Sequence, residues 1–491
     1  MAALSLLKYD LTMNYTKQLI GSAALFGSVF LAKAETSANV IFFLSDDHRF
    51  DALGCAGHPI VKTPTIDKLA AEGTRFSNAF VTTSICAASR ASLFTGLYER
   101  THLFTFGTPP IEADHVADSY PARLRNAGYH TGFVGKFGVG VGGIGTKGMF
   151  DVFNPLGRHP YHKKQKDGST RHVSEIAGDK AIEFLDAAPK DKPFCLSVSF
   201  NAAHAEDGDK RPGIGHFPWP KAVDGLYDDV PIPAPRLGAH KIFESQPDFL
   251  RKSMNRDRWF WRWDTPEKHQ INVRAYYRMI TGLDRVMGRV LDELKKTGRE
   301  KNTVVIFMGD NGYYQGNRGF AGKWSHYDDS LRVPLVIHDP RVPPSARGKV
   351  NELMTLNVDV PATILAAAGS ASPKRYQGRS LLGLVSGKKP KTWRDDTFCE
   401  HLMNNGSIPK WEGVRGSRYV YARYFEQNPP FEFLHDLKTD PDQLKNLAGD
   451  KAHKATLAKM RKRSDLLRDS YGGPFKPRSR GPKNKPKPKK K

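Results

Sequence analysis

Two kinds of apolar pattern run along this chain. The first is a short unbroken run. Asn39–Leu44 (NVIFFL), Phe194–Phe200 and Thr303–Met308 carry almost no polar alternation. Such runs are buried on both faces, as in parallel strands covered by helices. Tyr129–Val134 and Leu335–His338 are further predicted strands, and Thr74–Phe80 is strand-like. The second pattern recurs every three to four residues. Met279, Leu283, Val286, Val290 and Leu294 form one stripe, which predicts an amphipathic helix over Gln270–Lys296, stopped by Gly298. Shorter helices are predicted over Thr65–Glu72, Ser119–Ala127, Val173–Leu185 and Val358–Ala368. From about Pro390 the pattern changes to short strands, such as Tyr419–Tyr424 and Phe431–His435, and a helix over Lys451–Leu467. The chain therefore predicts an α/β core with a smaller C-terminal antiparallel α+β subdomain.

Chemistry-bearing residues gather where the buried runs stop. Asn39–Leu44 ends in Ser45-Asp46-Asp47-His48, and Thr303–Met308 ends in Gly309-Asp310-Asn311-Gly312. Open α/β sheets place ligands at the carboxyl ends of their strands. Adjacent like charges there call for a cation, and all-oxygen donors suggest Ca²⁺ or Mg²⁺; a solvated turn is the alternative. Phe194–Phe200 ends in Asn201-Ala202-Ala203-His204, where His204 is either a general acid or a hydrogen-bonded loop residue. Between these lies Ser84-Ile85-Cys86-Ala87-Ala88-Ser89-Arg90, a predicted helix start capped by Ser84 and closed at Gly96. Cys86 would then sit at a helix N-terminus, with Arg90 on the same face. Taken alone, Cys86 is equally a small buried thiol.

Composition adds an address and a charge. Lys17, the apolar run Leu19–Leu31 and Ala32-Lys33-Ala34 form an export signal best started at Met13, with residues 1–12 as an upstream extension. No other stretch suits a membrane span. An exported periplasmic or extracellular protein is expected, which argues against nucleic acid as a partner. The net charge is +24, and nine positive charges lie in the last sixteen residues. That Pro/Lys/Arg run cannot form a core, so a disordered tail is expected over 471–491. The basic excess elsewhere suits polyanions. Four cysteines (Cys55, Cys86, Cys195, Cys399) are too few for a disulfide scaffold, although a Cys195–Cys399 or Cys55–Cys86 bridge stays open. Residues 206–264 are expected to form an irregular insertion over one face. Its Arg258-Trp259-Phe260-Trp261-Arg262-Trp263 run offers either sugar and acidic-sugar contacts or plain packing.

Taken in order, the segments resemble the type I, formylglycine-dependent sulfatases of the alkaline-phosphatase superfamily, and bacterial carbohydrate sulfatases in particular. Cys86-x-Ala88-Ser89-Arg90 followed by Ala-Ser-Leu-Phe-Thr-Gly carries most of the resemblance. Ser45-Asp46-Asp47-His48, Gly135-Lys136, Asn201-x-x-His204, Gly309-Asp310-Asn311-Gly312, Lys323-x-x-x-Tyr327 and Thr439-Asp440-Pro441-Asp442 with Asn446-Leu447-Ala448 follow in family order. The resemblance implies a large mixed, mostly parallel sheet sandwiched by helices, with signal peptide 1–34, catalytic domain 35–388, subdomain 389–470 and tail 471–491. It implies that Cys86 is oxidised to formylglycine and that Asp46, Asp47, Asp310, Asn311 and the modified Cys86 hold Ca²⁺. Ala88 in place of proline suggests a radical SAM, oxygen-independent maturase as partner. Catalysis would fall to Cys86, Arg90, Lys136, His204 and Lys323. One hydroxyl of the hydrated aldehyde attacks sulfur, His204 protonates the leaving oxygen, and loss of a proton from the second hydroxyl expels sulfate. The implied substrate is a sulfated polysaccharide or oligosaccharide.

Two positions depart from the family. Gly138 stands where a histidine usually helps deprotonate the hydrate, leaving Asp310, His102 or His162 as substitutes. Gly316-Asn317-Arg318-Gly319 replaces a histidine-containing segment, so Arg318 is expected either to bind an anionic group of the substrate or to lie free on the surface. The alternatives in function are a phosphate or phosphonate ester hydrolase of the same superfamily and a non-catalytic polyanion-binding protein.

Overall fold

The computed structural model describes residues 37–208 and 216–478. Eight of its strands form one sheet: β1 (Asn39–Ser45), β2 (Thr74–Phe76), β3 (His130–Gly135), β4 (Val152–Pro155), β5 (Phe194–Ser199), β6 (Thr303–Gly309), β7 (Leu335–His338) and β8 (Lys349–Asn351). Their order is β8-β2-β7-β6-β1-β5-β3-β4. β1 lies at the centre and pairs in parallel with β5 and β6, whereas β7 runs antiparallel to both β6 and β2. The sheet is thus mixed and mostly parallel, as expected.

All seven β1 residues are buried because both faces are covered. Successive side chains point to opposite faces. Val40, Phe42 and Leu44 enter one core, and Ile41 and Phe43 the other. Six helices matter here: α1 (Cys86–Thr95), α2 (Val173–Ala187), α3 (Met254–Arg262), α4 (Pro266–Lys296), α5 (Asp359–Ala367) and α6 (Lys454–Tyr471). α1 and α5 fill the first core, and the stripe of α4 fills the second together with α2. α4 begins four residues before the predicted start. Thr265 Oγ1 accepts from the Lys268 amide at 3.2 Å, and Pro266 occupies the first turn, where its missing N–H costs nothing.

The structure corrects several expectations. Ser84 does not cap α1; extended Ile85 holds that position, and Ser84 Oγ donates to the Ser330 carbonyl at 2.7 Å. The 74–80 strand is split into β2 and the two-residue strand Ala79–Phe80. The 206–264 insertion contains short helices, and the Arg/Trp run lies on α3. All four cysteines are free, so neither bridge forms.

Four further strands, β9 (Asp396–His401), β10 (Trp411–Gly416), β11 (Tyr419–Tyr424) and β12 (Phe431–Asp436), form an antiparallel sheet in chain order. Leu457 and Met460 of α6 pack on its Val414, Tyr421 and Leu434. The tail expected from 471 is packed at its start. Tyr471 stacks on Tyr98 with ring centroids 4.0 Å apart, and Arg100 Nη1 donates to the Gly473 carbonyl at 2.7 Å. The export signal, its upstream extension and residues 479–491 lie outside the described residues. Among those described, no helix is long and apolar enough to cross a membrane.

Candidate active site

Parallel pairing in register brings three strand ends together. Ser45 lies opposite Gly309, and Leu44 opposite Ser199. Asp46-Asp47, Asp310-Asn311 and Asn201–His204 therefore leave the sheet side by side. Backbone bonds tie them: Asp310 N–H donates to Ser45 O (2.9 Å), Asp46 N–H to Ala202 O (2.9 Å) and Ala203 N–H to Asp46 O (2.7 Å). The N-terminus of α1 caps this junction. Cys86 Sγ donates to Asp46 Oδ1 at 3.2 Å.

Asp46, Asp47, Cys86 and His204 are buried, and each places a donor atom within 4.8 Å of the others. Asp310 Oδ1 accepts from the Asp47 amide at 3.2 Å, and Asn311 Nδ2 donates to Asp47 Oδ1 at 2.7 Å. Asp47 Oδ2 and Asn311 Oδ1 are buried without a hydrogen-bond partner. Crowded carboxylates with orphaned oxygens and an amide carbonyl fit a hard divalent cation such as Ca²⁺. His204, expected as a general acid or a hydrogen-bonded loop residue, joins this cluster, its Nε2 3.6 Å from Asp47 Oδ2.

The ammonium groups are paired one to one. Lys136 Nζ donates to Asp46 Oδ2 and Lys323 Nζ to Asp47 Oδ1; Lys323 Nζ also lies 3.3 Å from Cys86 Sγ. Burial alone would raise the Asp46 pKa, but Lys136, Arg90 and Lys323 together hold it well below the usual carboxylate range. Asp310 is pushed up to about 6 by burial and by Asp46. Burial and Asp46 likewise push the Cys86 thiol up to about 12, so an unmodified Cys86 is a neutral thiol and a poor nucleophile.

A cavity of about 580 Å³ opens above this junction. Cys86, Lys136, His204 and Lys323 line it, whereas Asp46, Asp47, Asp310, Asn311 and Arg90 form the layer beneath. Arg90 is one turn from Cys86, as expected, but it is 1 % exposed and touches no cavity space. Its Nε donates to Asp310 Oδ2 (2.9 Å) and its Nη1 to the Lys136 carbonyl (2.7 Å), which positions both strand ends.

Arg318 is neither a cavity residue nor a surface arginine. It is buried, pairs with Asp329 at 3.2 Å, donates to the Asp442 and Gln443 carbonyls, and lies 3.9 Å over the Tyr327 ring. It clamps the 440–443 turn to the loop that carries Lys323. Gly138 lines the cavity with φ +72°, and a Cβ there would meet Arg90 Cδ at 3.2 Å. His102 bonds to Ser92 Oγ at 3.1 Å and His162 sits on a separate two-stranded ribbon, so neither reaches the cavity. Asp310 lies beneath it, held by Arg90. His204 and His159 are the histidines on its wall among the described residues. Arg158, Asp207 and Trp324, which no motif marks, also line it, and Arg258 of the Arg/Trp run joins them. The cue available for Trp324 was its place directly after Lys323.

A family model described as "Sulfatase" matches residues 38–370, and one described as "N-sulphoglucosamine sulphohydrolase, C-terminal" matches 316–470. An N-acetylglucosamine-6-O-sulfatase of Bacteroides thetaiotaomicron is 27 % identical over 489 residues, covering 88 % of this chain and 85 % of the relative. A solved structure in complex with its substrate D-glucosamine-2-N,6-O-disulfate superposes with a TM-score of 0.74 at 23 % identity, covering 89 % of this chain and 98 % of the other. A phosphonate monoester hydrolase from Silicibacter pomeroyi superposes with a TM-score of 0.73 at 22 % identity, covering 88 % and 96 %.

Proposed function

The chain belongs to the sulfatase family, whose members hydrolyse sulfate esters, and on that premise we propose that it desulfates a carbohydrate through a formylglycine made from Cys86. The observation that carries this reading is the cavity floor: a Cys at a buried helix N-terminus, flanked by two lysines and a histidine over paired aspartates. The sugar in the name of the Bacteroides relative, N-acetylglucosamine, and the basic net charge support a glycan substrate.

Asp46, Asp47, Asp310 and Asn311 would hold Ca²⁺, which when bound neutralises their charge and polarises a sulfate oxygen. Formylglycine supplies a hydrated aldehyde, with one hydroxyl for attack on sulfur and a second whose deprotonation lets sulfate leave. The remaining work falls to side chains. Lys136 and Lys323 face the cavity and bind sulfate oxygens, aided by the α1 amides. Arg90 and Asp310 keep Lys136 and Asp47 in register from below. His204 protonates the leaving sugar oxygen. In the free protein, burial and the cations Arg158, Lys323 and Lys136 hold its pKa well below 6.5. A bound sulfate ester meets those same cations and offsets their share of that shift, which favours the protonated ring in the occupied site.

Mass spectrometry of the Cys86 peptide tests the modification, and release of sulfate from sulfated oligosaccharides tests the activity. The fold is shared with a phosphonate monoester hydrolase, so phosphonate and phosphate esters belong in the same assay. A Cys86 peptide without the aldehyde mass, or faster turnover of the phosphorus esters, overturns the reading. We place the mature protein outside the cytoplasm, on the strength of the leader ending at Ala34, and infer a radical SAM maturase from Ala88.

A further inference from the structure

The cavity floor is charge-balanced, but its rim is not. Asp207 lies on the wall, surrounded by three guanidinium groups. Arg258 Nη2 donates to its Oδ2 at 3.0 Å, Arg262 Nη2 donates to its Oδ1, and Arg158 Nη2 lies 3.9 Å away. The group carries a net charge of about two, positive, in a half-buried site where screening by salt is weak. Glu206 is turned instead to His159, whose Nδ1 lies 3.0 Å from its Oε1. The floor carboxylates are already matched by Lys136 and Lys323.

Donors remain for a ligand. Arg158 and Arg258 line the cavity together with Trp324, and the Arg258 guanidinium lies 4.9 Å over the Trp324 ring. Arg258 Nε has no hydrogen-bond partner. Asp207 fixes the Arg258 plane, while Arg158 is held through Nη1 by His204 Nδ1 and through Nε by His159 Nε2 at 3.3 Å; planar forks so held suit a carboxylate or sulfate. The cavity volume lies within the range of about 300–1,000 Å³ usual for small-molecule sites, ample for a sugar beyond the sulfate held on the floor.

We propose that Arg258, oriented by Asp207, and Arg158 beside it on the wall form a subsite for a second anionic group of the substrate, so that the preferred sugar carries at least one negative charge besides the sulfate removed. This rests on the sulfatase reading and specifies its substrate class. Either a second sulfate or a uronate carboxylate has the required chemistry.

The test uses heparin- and chondroitin-derived disaccharides with one, two or three sulfates, each with its uronate intact or carboxyl-reduced. Sulfate release is measured for wild type, Arg258→Gln, Arg258→Lys and Arg158→Gln, each checked for an unchanged melting temperature. Wild type should favour the more highly charged partner of a matched pair at least tenfold in kcat/KM. Arg258→Gln should shrink that ratio about tenfold, mainly through KM, and Arg258→Lys should restore part of it; Arg158→Gln should shrink it as well, with a change in kcat besides, because Arg158 also holds His204. Loss of preference on carboxyl reduction assigns the subsite to a carboxylate; its retention assigns it to a second sulfate. Equal turnover of singly and multiply charged sugars by wild type, or a variant that leaves the ratio intact, overturns the subsite. Binding of the same disaccharides to Cys86→Ala by calorimetry keeps the question separate from catalysis. If no sugar or aryl sulfate is hydrolysed but the charge preference in binding depends on Arg258, the sulfatase reading fails and the subsite stands.

Discussion

The floor and the rim of one cavity are built on opposite terms. On the floor each ammonium meets a carboxylate, the residues leave adjacent strands in register, and two oxygens lack partners. On the rim one carboxylate meets three guanidinium groups, drawn from the loops after β4 and β5 and from α3. A floor of this kind is fixed by sheet pairing and serves one reaction. A rim assembled from loops can change without disturbing the sheet, and so is where substrate choice resides.

The largest effect should come from the floor. Cys86→Ala is expected to lower sulfate release by a factor on the order of 10⁴ or more, because no other nucleophile is placed there. Its circular dichroism and melting temperature should match wild type. Full activity in this variant would sink the mechanism. Next is Lys323→Ala, expected to cost roughly 10²–10³ in kcat at saturating Ca²⁺, as for other buried groups that stabilise transition-state charge. A rim-like response, with KM raised and kcat unchanged, would erase the distinction between the two layers.

How far the sequence foretold each layer follows from how each is made. A buried parallel strand shows itself as an unbroken apolar run, and parallel pairing leaves little freedom in where its end goes. The position of Asp46, Asp47, Asp310 and Asn311 at adjacent strand ends is therefore legible in local pattern. Cys86 and Arg90 share a helical face, which spacing alone supplies. The rim has no such periodicity. Arg258 shares α3 with Arg256, Trp259 and Phe260, and which of them faces the cavity is decided by tertiary packing. Arg318 is neither of the two things expected of it, because its φ of +61° and its partners on the 440–443 turn exist only in the folded chain. Ser84 failed as a cap because a more distant carbonyl, that of Ser330, claims its hydroxyl.

Arg318→Ala should sharpen the comparison from outside both layers. It removes the most buried cation at Asp329, which keeps Arg49 at 3.6 Å and the Asn317 amide at 2.7 Å, with an expected loss of about 2 kcal/mol in urea-unfolding stability. Selectivity between singly and doubly charged sugars should not move; a change would return Arg318 to substrate contact. Metal loading probes the floor alone. Ca²⁺ at a hundredfold excess over its Kd should stabilise the protein by about 2.7 kcal/mol, seen as a rise in melting temperature. Asp46→Asn should abolish this rise, and Arg258→Gln should retain it.

The smallest effect concerns what supports the rim. His172 caps α2: its Nδ1 accepts from the Ser174 amide at 3.2 Å, while Nε2 faces the Pro218 carbonyl at 3.1 Å and so carries the ring's one proton. Glu175 closes the cap through the His172 amide, and His162 faces the ring from the opposite strand. Tyr161 stacks on His172 with centroids 5.2 Å apart, and its hydroxyl donates to the Asn201 and His204 carbonyls at 2.6 Å. The histidine thus underpins the loop that presents His204 and Asp207. Burial, with a contribution from His162, lowers its pKa from 6.5 to about 3. The native state resists the proton that the unfolded chain accepts, so this stability is complete above pH 6.5 and lost as pH falls from 6.5 towards 3. Between pH 6.5 and 5 the loss should be about 2 kcal/mol. His172→Asn, which can accept the same capping bond without titrating, should flatten the pH dependence of the unfolding midpoint by that amount. An unchanged slope would assign the acid sensitivity to other groups and leave the rim loop independent of α2.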